Sequence, residues 1–116
     1  MTMQRGKLAD IQYVASSAGS IYSNPSSTKT YVREIVLFNG NSAAELVKLY
    51  FVPDSTGSLG TAGASNQFAE LTLAAKETLI LDFDYPLVLT DTNDSLQAAT
   101  TTASKVTVML QGDKDA

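Results

Sequence analysis

The chain has no histidine, no cysteine and no tryptophan, and the first two absences each remove a class of chemistry. Without cysteine there is no disulfide framework, no thiolate nucleophile and no cysteine-based zinc site. Without histidine there is no imidazole to activate a serine or cysteine, to ligate a metal or to act as a base near neutrality. An enzyme built on this sequence would run on carboxylates, lysine or tyrosine alone. Positive charge is also scarce. Eight Lys and Arg against twelve Asp and Glu leave a net charge of -4, and the basic residues are scattered, which argues against a nucleic-acid partner. Long apolar runs are missing too. None exceeds four residues, as in Ile35 to Phe38 and Leu49 to Val52, so no transmembrane span is expected and no signal-peptide core follows Arg5 and Lys7. The mature chain is expected to begin at or near Met1, with no membrane partner and no cofactor.

What is present leans towards strands. A chain of 116 residues fits one domain, and a domain of that size buries roughly two-thirds of its unfolded surface. Twenty-five residues are Ser or Thr while only 17% are charged, which suits strands with modestly polar outer faces better than salt-bridged helices. Residues 1–19 read as an N-terminal arm followed by a partly alternating first strand anchored by Leu8, Ile11, Tyr13 and Val14. Ser20 to Ser23 is a short extended piece that Asn24-Pro25 ends, because proline restricts its predecessor and lacks an N–H.

Thr30 to Pro53 is the organising stretch. Period-two alternation places Tyr31, Ile35 and Leu37 on one face of the first run and Val32, Val36 and Phe38 on the other. Asn39-Gly40 is a strong hairpin signal, although the connection from Asn39 to Ala44 is longer than a two-residue turn, and Glu45 to Val52 returns with Val47, Leu49 and Phe51 opposite Leu46, Tyr50 and Val52. A central hairpin is therefore expected. Ser42 to Glu45 also forms a formal capping box that would allow a helix over Ala43 to Val52. The β-branched and aromatic residues and the closing Pro53 favour the strand.

Asp54 to Asn66 is a loop of small and polar residues with glycines at 57, 60 and 63. A second hairpin is expected from Phe68 to Leu73 and Glu77 to Phe83, then a break at Tyr85-Pro86, a plug at Leu87 to Leu89, and strands at Leu96 to Ala99 and Lys105 to Gly112. Residues 113–116 form a charged tail. The fold expected is all-β, a single two-sheet antiparallel β-sandwich over residues 20–112, jelly-roll or immunoglobulin-like, with seven or eight strands. A hairpin apolar on both faces needs covering twice. Its outer face is therefore expected to meet another subunit, or else a long loop or the arm, with Tyr31, Arg33, Leu46 and Tyr50 as candidate interface residues.

No catalytic or metal-binding set emerges. Asp91-Thr92-Asn93-Asp94-Ser95 begins like a calcium loop, but Leu96 stands where glycine is needed and Thr102 where a bidentate Glu belongs, so an acidic turn is expected. Asp82 and Asp84 would project from one face of a strand as a carboxylate pair, yet acids on a strand edge commonly serve to discourage edge pairing. The glycine spacing lacks the Lys and Ser/Thr of a phosphate cradle. Ser104 and Lys105 would point to opposite faces of a strand.

The segments Tyr22 to Pro25 (YSNP), Leu49 to Pro53 (LYFVP) and Asp94 to Ala98 (DSLQA), together with Leu71 to Phe83 and Lys105 to Gly112, resemble small tailed-bacteriophage virion proteins of β-sandwich type. The resemblance covers about Ser20 to Gly112, and departs at Thr92-Asn93, where a glycine often precedes the Asp. It implies a structural protein of a virion without enzymatic activity, a homo-oligomer, specifically a trimer, partnered by the major capsid protein or another virion protein. A capsid decoration or cement role on the head surface is expected. The alternative it implies is a host-recognition module of a tail or fibre, binding a receptor or glycan through the Asp54 to Asn66 loop and exposed tyrosines.

Overall fold

Strands that alternate apolar and polar residues bury one face each, and here they do so as two stacked sheets. The computed structural model describes residues 3–116. Its strands are β1 (Met3–Tyr13), β2 (Gly19–Ser23), β3 (Lys29–Asn39), β4 (Glu45–Val52), β5 (Gln67–Leu73), β6 (Thr78–Leu89), β7 (Ser95–Thr100) and β8 (Val106–Asp115). Sheet A has the order β1-β8-β3-β6 and sheet B the order β2-β7-β4-β5. Every neighbouring pair is antiparallel. Between the sheets, fully buried Ile35, Leu37 and Leu110 pack with Val47, Leu49 and Leu96 in one apolar core.

Consecutive strands lie in opposite sheets except β4 and β5, which is the wiring of a jelly roll. The two expected hairpins are therefore corners. β3 and β4 belong to different sheets, as do β5 and β6. At Asn39-Gly40 neither residue takes the positive φ that a tight hairpin turn requires. The reason lies in the Asn39 side chain, which is fully buried. Its Nδ2 donates to the carbonyls of Ala43 (2.9 Å), Ala74 (3.1 Å) and Leu73 (3.2 Å), and its Oδ1 accepts from the Asn41 N–H at 2.9 Å. One amide thus ties the β3–β4 corner to the β5–β6 corner. At the other end, buried Asn24 does the same for the β2–β3 and β6–β7 corners, donating to the carbonyls of Thr28 (2.7 Å) and Asp91 (3.1 Å) while accepting from the Thr30 hydroxyl at 2.6 Å.

The alternation along β3 also differs from expectation. Val32, Ile35 and Leu37 face the core, whereas Tyr31, Val36 and Phe38 face outward. A bulge at Arg33-Glu34 sets one extra residue of β3 against β8 and so moves Val32 onto the face of Ile35, while on the other side the extra residues belong to β6, between Asp82 and Leu87. Gly112 of β8 permits the close approach there: a Cβ at that position would lie 1.9 Å from the Tyr31 carbonyl oxygen. The helix over Ala43 to Val52 is replaced by β4. Glu45, instead of completing a capping box, accepts hydrogen bonds from Asn41 Nδ2 and the Thr102 N–H, each at 2.9 Å.

The terminal strands are longer than the sequence pattern indicates. β1 starts at Met3, inside the expected arm, and pairs along β8 from Met3–Asp115 onward, so the tail is part of the sheet. Residues 1 and 2 of that arm lie outside the described residues. β6 runs through Tyr85-Pro86 because it is an edge strand, where a missing N–H is tolerated. Replacing Asn39 with Ala orphans several buried backbone groups and is expected to lower unfolding stability by about 2–3 kcal/mol, read as a lower midpoint in urea unfolding of the full chain.

Candidate functional site

The two outer faces of the sandwich are unlike. On sheet A the cross-strand register lines up outward residues in rows: Tyr13, Thr107, Phe38 and Thr78 in one, Met109, Val36 and Ile80 in the next, with Ile11 at an irregularity of β1 beside Met109. Ile11 is 65% exposed, Tyr13 62%, Ile80 54% and Phe38 38%. These side chains form an apolar area at one end of the face. Clustered exposed apolar side chains of this kind mark contact surfaces. Towards the other end the rows turn polar, with Lys7, Gln111, Glu34 and Asp82 in register.

Sheet B covers itself. The loop between β4 and β5 folds back over Tyr50 and Val52, which are buried although they point away from the core. Gln97 Nε2 donates to the Gly60 carbonyl at 3.1 Å, and Asn93 Nδ2 to the Gly57 carbonyl at 2.8 Å. Gly60 is needed at this contact, since a Cβ there would stand 2.3 Å from the Pro53 oxygen and 2.9 Å from Val52 Cγ1. A depression of about 290 Å³ lies on the same face between Ser16, Ala18, Leu46, Lys48, Tyr50 and Thr101.

Of the sequence-derived interface candidates, Tyr31 and Arg33 lie on the outer face of sheet A, and Leu46 and Tyr50 on the outer face of sheet B. They do not share a surface. The most exposed large apolar side chains of sheet A, Tyr85, Ile11, Tyr13 and Ile80, are not among them. The bulge in β3 and the crossing of β4 to the other sheet, neither of which has a local sequence signal, separate the two sets.

The acidic turn between β6 and β7 draws in Asp54. The carboxylates of Asp54, Asp91 and Asp94 approach within 4.8 Å of one another, so each offers an oxygen to a common point. Asp94 is nevertheless occupied by the backbone. Its Oδ1 accepts from the Asp54 N–H at 2.9 Å and its Oδ2 from those of Asp91 (3.0 Å) and Thr90 (3.2 Å). Burial pushes the Asp94 carboxyl up, but the donors at Asp91, Asp54 and Thr90 prevail and hold it below its usual value. The arrangement is that of a turn closed around an anion. Asp82 and Asp84 stay exposed on β6, and Ser104 sits in the turn before β8 rather than on a strand.

Asp113 carries the other charged arrangement. Its side chain is 1% exposed and is closed over by half-exposed Arg33 through Nε at 2.6 Å and by exposed Arg5 through Nε at 3.0 Å. The Arg33 hydrogen bond lowers the Asp113 pKa, burial opposes it, and Arg5 adds to the lowering.

No protein-family model and no curated protein matches the chain. Among solved structures, a protein of Bacillus endospore appendages, which form a family of disulfide-linked pili, aligns at TM-score 0.52 and 12% identity, over 97% of this chain and 87% of that one. A chain of infectious bursal disease virus, Gt strain, aligns at TM-score 0.36 and 13% identity, over 97% of this chain and 30% of that one. The pilus protein shares the fold, and at 12% identity the likeness extends no further. Lacking cysteine, this chain cannot itself form disulfide links.

A carboxylate whose folded pKa lies below its unfolded value contributes stability above the unfolded pKa and loses it as pH falls through the folded one. Asp113, Asp94 and Glu45 are all lowered. Urea unfolding midpoints are therefore expected to fall steadily from about pH 4 downward. The Asp113→Asn variant should be less stable at neutral pH and show a shallower acid slope; an unchanged slope would contradict the assignment.

Proposed function

We propose that this chain is a non-enzymatic structural protein of a phage virion, a decoration or cement protein of the capsid surface. The observation that carries the reading is the apolar end of sheet A's outer face, exposed on a sandwich that covers its other outer face with its own loop. A small domain stable by itself gains nothing from leaving Ile11, Tyr13 and Ile80 in water, whereas a protein that docks on an assembled shell gains buried area there. The sequence resemblance along Tyr22 to Pro25, Leu49 to Pro53 and Asp94 to Ala98 supports the virion context and the trimeric state. The polar groups clustered in the chain, those of Asn24, Asn39, Asp94 and Asp113, are engaged in holding corners and strands, consistent with a role without chemistry.

The mechanism is mass action. A protein that binds only the assembled shell shifts the equilibrium away from disassembly, and several copies in a ring add their contacts across neighbouring subunits of the major capsid protein. The loop from Asp54 to Asn66, which a receptor-binding module would present, is anchored through its Gly57 and Gly60 carbonyls while Ser55 to Leu59 stay exposed.

Particles carrying the protein should disrupt at a higher temperature than particles lacking it, and equal melting would remove the cement role. Ile80→Asp, which places a charge in the apolar area without touching the core, should weaken binding to empty capsids at least tenfold, on the order expected for a central contact residue. Equilibrium co-sedimentation with empty capsids measures it.

A further inference from the structure

We infer that sheet A continues from one copy of this chain to the next, with β1 of one molecule lying antiparallel to β6 of its neighbour. The two strands are the opposite edges of the sheet and are long, 11 and 12 residues. Among the described residues each hydrogen-bonds a partner strand on one side only, and an unpaired edge is a template for another strand. Because successive strands of sheet A alternate in direction, β1 and β6 run opposite ways. A second copy set beside the first in the same orientation brings its β1 against β6 as an antiparallel pair, the commoner and more stable kind.

The side chains at the two edges favour that pairing over β1 with β1 or β6 with β6. Lys7 stands in the same cross-strand row as Asp82. Ile11 lies level with the row that ends in Ile80, and Tyr13 with the row that ends in Thr78. Between neighbouring copies the row order therefore sets Lys7 beside Asp82 and Ile11 beside Ile80, opposite charges together and apolar side chains together. Arg5 adds to the basic edge and Asp84 to the acidic one, all four charged groups being exposed. Lys7 contacts Asp10 on its own strand, a solvent-exposed pair that contributes little. Pairing β1 with β1 in a register centred on Gly6 would bring Arg5 and Lys7 against each other, and β6 with β6 centred on Phe83 would do so for Asp82 and Asp84. Like charges directly opposite are destabilising. The contact is thus head-to-tail, the kind that closes into a ring or runs on as a filament.

The contact deepens the proposal of an assembly subunit, but it is tested on the isolated chain, so its failure and a failure of capsid binding are separate results. The lack of native cysteine makes the test direct. Lys7→Cys and Asp82→Cys lie three strand spacings apart in one molecule, about 14 Å, too far for a disulfide. Across the inferred contact they are about 5 Å apart at Cα, within reach. Mixing the two single variants under mild oxidation should give a reducible dimer on non-reducing electrophoresis that neither variant gives alone, and the double variant should give a ladder of multimers. No dimer in the mixture, or equal dimer in the separate variants, would overturn the inference. As a check that does not rely on cysteine, Asp82→Lys and Lys7→Glu should each shift the wild-type chain towards monomer in sedimentation velocity, and the two combined in one chain should restore association. A wild-type chain that remains monomeric at high micromolar concentration, or a combined variant no more associated than the single ones, would overturn it.

Discussion

A chain that crosses from one sheet to the other at nearly every turn leaves corner carbonyls with no ladder to join, and two buried asparagines satisfy them. Asn24 at one end and Asn39 at the other each reach across to a corner formed by a distant part of the sequence. An amide has two donors and two acceptor positions, enough to serve two corners at once. Both sheets hang from these points, since a corner that opens loses the spacing that lets Ile35, Leu37 and Val47 meet. Asp94 and Glu45 repeat the device with carboxylates, each receiving backbone N–H groups from turns that are remote in sequence. Polar groups here specify which strand follows which sheet, while the apolar core supplies the cohesion.

Strand positions were legible because they depend on local alternation. Glu45 to Val52 was placed to the residue, and Ser20 to Ser23 and Phe68 to Leu73 to within one. Connectivity was not legible. Asn39-Gly40 has the composition of a tight hairpin, and only the distant carbonyls of Leu73 and Ala74, invisible from the local sequence, turn it into a corner. The bulge at Arg33-Glu34 is hidden for the same reason: it depends on Gly112 lying beside Tyr31. Since one inserted residue exchanges the two faces of a strand, an alternation read straight through β3 places Tyr31 with the core residues and Val32 outside.

The candidate surface inherits both errors. A strand apolar on both faces raises the question of what covers its outer side, and the answer differs between β3 and β4 once they part. For β4 the cover is the chain's own glycine-bearing loop, laid down on Tyr50 and Val52. For β3 the outer residues Val36 and Phe38 join Ile11, Tyr13 and Ile80 from strands that no local pattern could assign to the same sheet. The polar termini, read as arm and tail, are instead the paired ends of β1 and β8, held by the Arg5–Asp113–Arg33 cluster.

That pairing has a mechanical side. Met3 and Asp115 face each other across the sheet, so tension applied through the two ends would act on adjacent strands at the same end of the ladder. Such a load opens hydrogen bonds one pair after another instead of shearing them all together. The first ion-paired rung it meets is Arg5 on Asp113, with Arg33 bracing the same carboxylate from β3. Force entering through the ends would therefore be resisted by one three-residue ionic lock before it reached the apolar core.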